Sequence, residues 1–199
     1  MERTIKRKEV PPKRRAQILA AAAELFSRHG YKGVTVDAIA RGAGISKGNI
    51  YWYFRSKREI FQLLVDDFYQ RLAMPLEQIA DSDAPPRDKV RNLTHSLLDI
   101  AEANREAIIL LLQVAAQTEL RERVVVGASA WLKSYIDVLT DLFASLGEEK
   151  PRDVAMAYVA VIDSLLGQIA AVGSEIYDRK SLMAVLEERF ISFRKDGDG

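Results

Sequence analysis

Along nearly the whole chain, apolar residues recur at intervals of three and four, and no convincing stretch alternates with the period of two that a half-buried strand requires. Ile18, Ala22, Leu25 and Phe26 make the first stripe, in a helix that opens after Pro11 and Pro12 and is stopped by Gly30. Thr35 is a good N-cap for a short second helix with Val36, Ile39 and Ala40 inward. Ala43-Gly44-Ile45 breaks that helix, and Ser46 caps a third, SKGNIYWYF. Ser56 and Glu59 have capping-box spacing and open a fourth helix, predicted to run to about Met74 and to be stopped by Pro75. At 1.5 Å per residue it would span roughly 25 Å, enough to join two domains rigidly. A loop over 81–86 follows. Further helices are predicted over 87–103, 105–116, 119–146, from Pro151 to about Val172, and over 179–195. The fold class is therefore all-α with about nine helices. Residues 1–56 form an N-terminal arm and three-helix domain, and residues 57–199 a second helical domain.

Two short helices joined by a glycine-containing turn of about three residues have the form of a helix-turn-helix, spanning 35–57. Val36, Ile39, Ala40, Ile45, Ile50 and Phe54 can pack on the first helix. Lys47, Gly48, Asn49, Tyr51, Trp52 and Tyr53 remain outward on the third. Three adjacent aromatics cannot all face inward on one helix, so some are exposed beside a lysine, as on a binding face. The alternative is that one or two merely complete the core and the rest pack on the first helix.

Charge sharpens this picture. The net charge is only +1, but residues 1–72 hold 15 Lys and Arg against 7 Asp and Glu, a net +8, and the remainder carries −7. A basic end on an acidic body points to a polyanionic partner. Much of the excess lies in residues 6–15, either an arm entering the minor groove or, as the preferred reading, a tail attracting phosphates without sequence preference. Cysteine is absent, which excludes disulfides and thiolate metal sites. No signal peptide is visible, and no run of about 18 apolar residues is recognised, so a cytoplasmic location without a membrane span is expected.

The stretch GVTVDAIARGAGISKGNIYWYFRSKREIF, within residues 16–61, resembles the signature of TetR/AcrR family transcriptional regulators. The resemblance implies an all-α homodimer with an N-terminal helix-turn-helix domain and a C-terminal domain for effector binding and dimerisation. It implies a repressor released from double-stranded operator DNA by a small effector, with no cofactor and no enzymatic activity. At the matching positions, Thr35 and Ser46 would bond phosphates and Lys47 would reach a base edge or phosphate. Gly48 would let the DNA come close. Asn49 shares the outward face, Tyr51 and Tyr53 would meet phosphates, Trp52 thymine methyls or sugars, and Lys57 a phosphate. Trp52 stands where the family more often has Tyr or His.

The C-terminal region carries no motif, but its helices are more apolar than a small bundle needs. Candidate effector contacts are Phe61, Leu64, Phe68, Ile108, Leu111, Leu112, Trp131 and Tyr135, with Leu97 beside them and His95, Gln113 and Gln117 as polar contacts. Residues at such spacing are also ordinary core. An apolar wall would suit a largely apolar effector. His95 and Asp99 lie four residues apart, an arrangement open to a metal or to a helix-surface hydrogen bond; with no third ligand evident, the hydrogen bond is preferred. The eighth helix is apolar almost all round, so with the ninth it is expected to pair with a partner subunit. A small helical enzyme is the competing class, but it has only His29 and His95 to work with and no nucleophile motif or phosphate loop.

Overall fold

The computed structural model describes residues 12–115, 120–175 and 177–191. In chain order the helices are α1 (Pro12–Gly33), α2 (Val36–Gly42), α3 (Lys47–Tyr53), α4 (Lys57–Ala80), α5 (Pro86–Ala103), α6 (Arg105–Ala115), α7 (Arg121–Ser145), α8 (Pro151–Val172) and α9 (Arg179–Leu186). There is no strand among the described residues. Gly30 breaks α1 as the sequence predicts, at φ 66° and ψ 166°, and a further turn carries the chain to Gly33. The ninth helix, predicted over 179–195, changes character along its described part, and residues 192–195 lie outside the described residues. Its α-helical part ends at Leu186, and one π-helical turn, Glu187–Ile191, follows. Phe193 and Gln117 lie outside the described residues.

The fourth helix departs most from expectation. Pro75 does not stop it; α4 continues to Ala80, about 36 Å in all. Proline deletes one helical hydrogen bond, but Pro75, Leu76 and Ile79 are all buried, so the packing of that face outweighs the loss. Ser56 accepts from the Glu59 amide at 3.1 Å, while the Glu59 carboxylate accepts from the Arg55 amide at 2.5 Å, one residue before the partner a standard capping box would use.

α4 begins inside the N-terminal core. Phe61 meets Phe26 and Tyr31 with ring centroids 5.8 and 5.2 Å apart, both edge-on. Lys57 donates to the carbonyls of Tyr31 and Val34 at 2.8 and 2.7 Å, and its ammonium lies 4.3 Å from the Tyr31 ring centroid. The N-terminal helices are thus clamped to the first turns of α4. Further along, Phe68, Leu72 and Leu76 are buried and α4 packs against α5 and α7.

The α4–α7 contact depends on Gly127. A Cβ there would stand 2.5 Å from the Tyr69 ring, whose hydroxyl donates to the Val124 carbonyl at 3.3 Å. Gly127→Ala is expected to lower stability. Overpacking costs about 1–3 kcal/mol, of which better helix propensity recovers up to about 1 kcal/mol. A fall of several degrees in Tm at fixed protein concentration checks this; an unchanged or raised Tm would show that Tyr69 moves aside freely.

α8 is the central helix of the second domain. Tyr158, Val159, Ile162, Leu165, Leu166 and Ile169 are buried, and the Tyr158 hydroxyl shares a 2.5 Å hydrogen bond with that of Thr94. Contrary to the sequence reading, this one helix is long and apolar enough, by length and composition, to cross a membrane. Its other face, including Met156, Ala157, Ala160, Val161 and Val172, is exposed in the single chain. α9 and the π-helical turn after it are tied to α5 by ion pairs, Arg179 of α9 with Asp99 at 2.6 Å and Glu187 of the turn with Arg91 at 2.5 Å.

Candidate nucleic-acid interface and internal cavity

The turn between α2 and α3 follows directly from its residues. Thr35 accepts from the Ala38 amide at 3.1 Å and Ser46 from the Asn49 amide at 3.3 Å. Both hydroxyls keep their own proton to donate elsewhere. Gly44, at φ 65°, takes the left-handed conformation that reverses the chain. Ile39, Ala40, Ile50 and Phe54 are buried beneath. This leaves Lys47, Gly48, Asn49, Tyr51 and Trp52 exposed on one side of α3, with Trp52 at 69%. Tyr53 differs: it is half-buried and packs against the core. Two of the three aromatics are therefore exposed, as the pattern requires of some of them, and the third joins the core.

Among the described residues nothing approaches Gly48. A Cβ built on it meets no atom within 4 Å. Glycine in a helix is costly relative to alanine, and no contact within the fold explains its presence.

Two charged groups alter the expected picture. Lys47 is paired with Asp37 at 2.8 Å, both about half exposed, and the hydrogen bond and charge of Asp37 raise the lysine pKa. Its charge is thus partly compensated until a stronger anion arrives. Lys57, expected at a phosphate, instead directs its ammonium to Tyr31 and Val34, because those carbonyls lie open where α1 ends. Arg15 on α1, by contrast, lies 5.3 Å from the Phe54 ring centroid and borders the same surface hollow as Tyr51, Trp52 and Arg55. Residues 6–11 of the basic arm lie outside the described residues.

The second feature is a cavity of about 510 Å³ walled by α4 to α8. Of the candidate contacts, the structure brings Phe68, Ile108, Leu111, Leu112 and Trp131 to it, with Leu97. It does not bring the others. Phe61 belongs to the N-terminal aromatic cluster, and Leu64 faces a separate hollow between α1 and α4. Gln113 is exposed and turned toward Gly30 of α1. His95 faces α9, where Arg179 stands 3.2 Å from its Nδ1 and also pairs with Asp99. A guanidinium thus bridges these two residues, and no cluster able to hold a metal occurs among the described residues. Tyr135 is wholly buried behind Trp131, with ring centroids 5.2 Å apart, and its hydroxyl has no hydrogen-bond partner.

The sequence reading missed Tyr69 and Asp163, which also line the cavity. Asp163 is exposed in the single chain, and desolvation by the chain around it raises its pKa; burial of Tyr69 together with the charge of Asp163 pushes that phenol up to about 12. One signal could have found Asp163: it is the sole charged residue between Val154 and Val172.

Comparison with known proteins bears on both features. Residues 18–64 match the family described as "Bacterial regulatory proteins, tetR family". The repressor KstR2 of Mycolicibacterium smegmatis is 33% identical over 107 residues, covering 54% of this chain and 52% of that protein. The chain therefore spans about half the length of the KstR2 proteins it matches. The transcriptional activator FasR of the same organism is 26% identical over 76% of this chain and 70% of that protein. A TetR-like regulator from Rhodococcus sp. RHA1 superposes with a TM-score of 0.74 at 24% identity, over 91% of this chain and 97% of that one.

Proposed function

Because this chain belongs to the TetR family of bacterial transcription regulators, we propose that it binds operator DNA as a homodimer through α3 and is released by a small, largely apolar effector held in the α4–α8 cavity. The observation that carries the DNA-binding reading is the exposed face of α3, above all Gly48, a glycine that the fold itself does not need. Placed in a major groove, α3 would present Lys47 and Asn49 near its N-terminus and Tyr51 and Trp52 beside them. A phosphate near Lys47 competes with Asp37 for the ammonium, so the ion pair costs some affinity and holds the side chain in place until DNA binds.

The dimer reading rests on α8. Its exposed side carries Met156 and Val161 with Ala157 and Ala160, an apolar strip that a second copy would cover about a two-fold axis. Two recognition helices could then meet half-sites about 34 Å or more apart. The effector reading rests on connectivity. Phe68, Tyr69 and Leu72 of α4 border the cavity, while Ile60 and Phe61 of the same helix sit in the DNA-proximal core. α6 supplies Ile108, Leu111 and Leu112 to the wall and packs against α1. A ligand that binds one spacing of the two domains better than another shifts the equilibrium between them.

The test begins with enrichment of random duplex DNA on the purified protein. A two-fold symmetric sequence is expected. Lys47→Ala and Tyr51→Phe should each weaken binding to it by about threefold to thirtyfold, in line with the loss of one charge-assisted or neutral hydrogen bond. The wild-type affinity should fall steeply with salt. No enriched sequence, or both variants binding like wild type, would overturn α3 as the reading element.

A further inference from the structure

The geometry points to a lipophilic cation as the class of ligand that the α4–α8 cavity takes, with Asp163 as its counter-ion. This rests on reading the cavity as the effector site and goes further by naming the ligand's charge. Its walls are hydrocarbon and aromatic, including Phe68, Leu97, Leu111 and Trp131. Among the described residues one charged side chain lines it, the carboxylate of Asp163, and no Lys, Arg or His does so.

That carboxylate is exposed in the single chain, where it borders the apolar lining. It interrupts an otherwise uncharged length of α8, and desolvation by the surrounding chain raises its pKa, with no cation among the described residues offsetting it. Its charge also raises the pKa of the Tyr69 and Tyr135 phenols. An acid at the edge of an apolar wall attracts a positive charge brought in by the ligand, and the wall strengthens that attraction. The ring faces of Trp131, Phe68 and Tyr69 favour a cation over an anion in the same way. A carboxylate ligand of the same shape would meet Asp163 with no compensating base in the lining. The volume falls within the range of pockets that enclose drug-sized molecules.

A matched series separates charge from shape. Decylammonium, decan-1-ol and decanoate share one chain and differ at the head group, and each is titrated calorimetrically into the full-length protein below its aggregation concentration. Decylammonium is expected to bind at least tenfold tighter than decanol, and decanoate weaker than both. In Asp163→Asn the preference of the ammonium over the alcohol should shrink to threefold or less. Decanol should keep its affinity within about threefold, which also shows that the cavity is intact. Decanoate binding as tightly as decylammonium, an unchanged preference in Asp163→Asn, or no binding by any of the three overturns the assignment. The same ligands are then added to the protein on its enriched DNA. Release by decanoate and not by decylammonium would overturn the cation and leave the effector reading standing. Tight, Asp163-dependent binding of decylammonium without release would uphold the cation site and overturn the effector reading.

Discussion

Gly48→Ala is expected to weaken binding to the enriched DNA tenfold or more while leaving the protein at least as stable as before. The two effects have opposite signs because they arise in different states. In the free protein the added methyl points into open space, with no atom within 4 Å, and relieves a helical glycine. That gain is up to about 1 kcal/mol. In the complex the same methyl stands between α3 and the DNA. Backing the helix away by part of an ångström lengthens every hydrogen bond the face makes, those of Lys47, Asn49 and Tyr51 included. Losing about 1.4 kcal/mol already costs tenfold. Thermal unfolding and a mobility-shift titration on the same preparation read the two terms separately. A variant that binds as wild type would place Gly48 away from the DNA, and a variant that unfolds earlier would show an intramolecular reason for the glycine.

The second large effect is expected at the opposite end of the molecule. Ala160→Arg puts a long cation in the middle of the exposed strip of α8. In the single chain this position faces solvent, so the substitution should leave the helical fold intact by circular dichroism. At a dimer interface it buries an unpaired charge, which costs several kcal/mol per subunit. Light scattering should then report a monomer. Binding to the two-fold symmetric DNA should fall on the order of 100-fold or more, because the second half-site is no longer met at the high effective concentration that a tethered partner provides. A dimer that persists with full DNA binding would exclude this face of α8 as the interface. Helical signal lost together with dimerisation would be resolved by Ala160→Ser, which leaves the charge out and is expected to dimerise and bind as wild type.

How much of this was legible in the chain varies from residue to residue. The capped turn of α2 and α3 could be read outright. Thr35, Gly44 and Ser46 act on their own neighbours within four residues, and such local hydrogen bonds and φ preferences belong to the sequence itself. Gly30 as the stop of α1 was legible for the same reason. Pro75 was misread because the local rule was sound but lost to the burial of Pro75, Leu76 and Ile79 on one face of α4. The partners of Lys57 in the free chain were not legible, because a lysine has several within reach and only the placement of the Tyr31 and Val34 carbonyls selects among them.

The candidate contacts in the second domain divide on the same ground. The stripes identified Phe68, Leu111 and Trp131 as turning inward, and they reach the cavity buried, while Ile108 is half-buried there and Leu112 borders it exposed. Phe61 turns inward too, but into a different core, because α4 passes from one domain to the other between Phe61 and Phe68. Periodicity reports the direction of a side chain about its own helix axis and carries no information about which neighbour waits there.

The sequence by itself therefore determined the all-α class, the helix-turn-helix with its caps, and the face of α3 that stays outside, since each is set by intervals of a few residues. Tertiary structure alone decided that α4 runs unbroken past its proline, that Asp37 holds Lys47, and that Asp163 of α8 borders an apolar cavity. Those outcomes depend on segments from 10 to about 100 residues apart meeting in space, and hydrophobic burial, which has no direction of its own, is what brings them together.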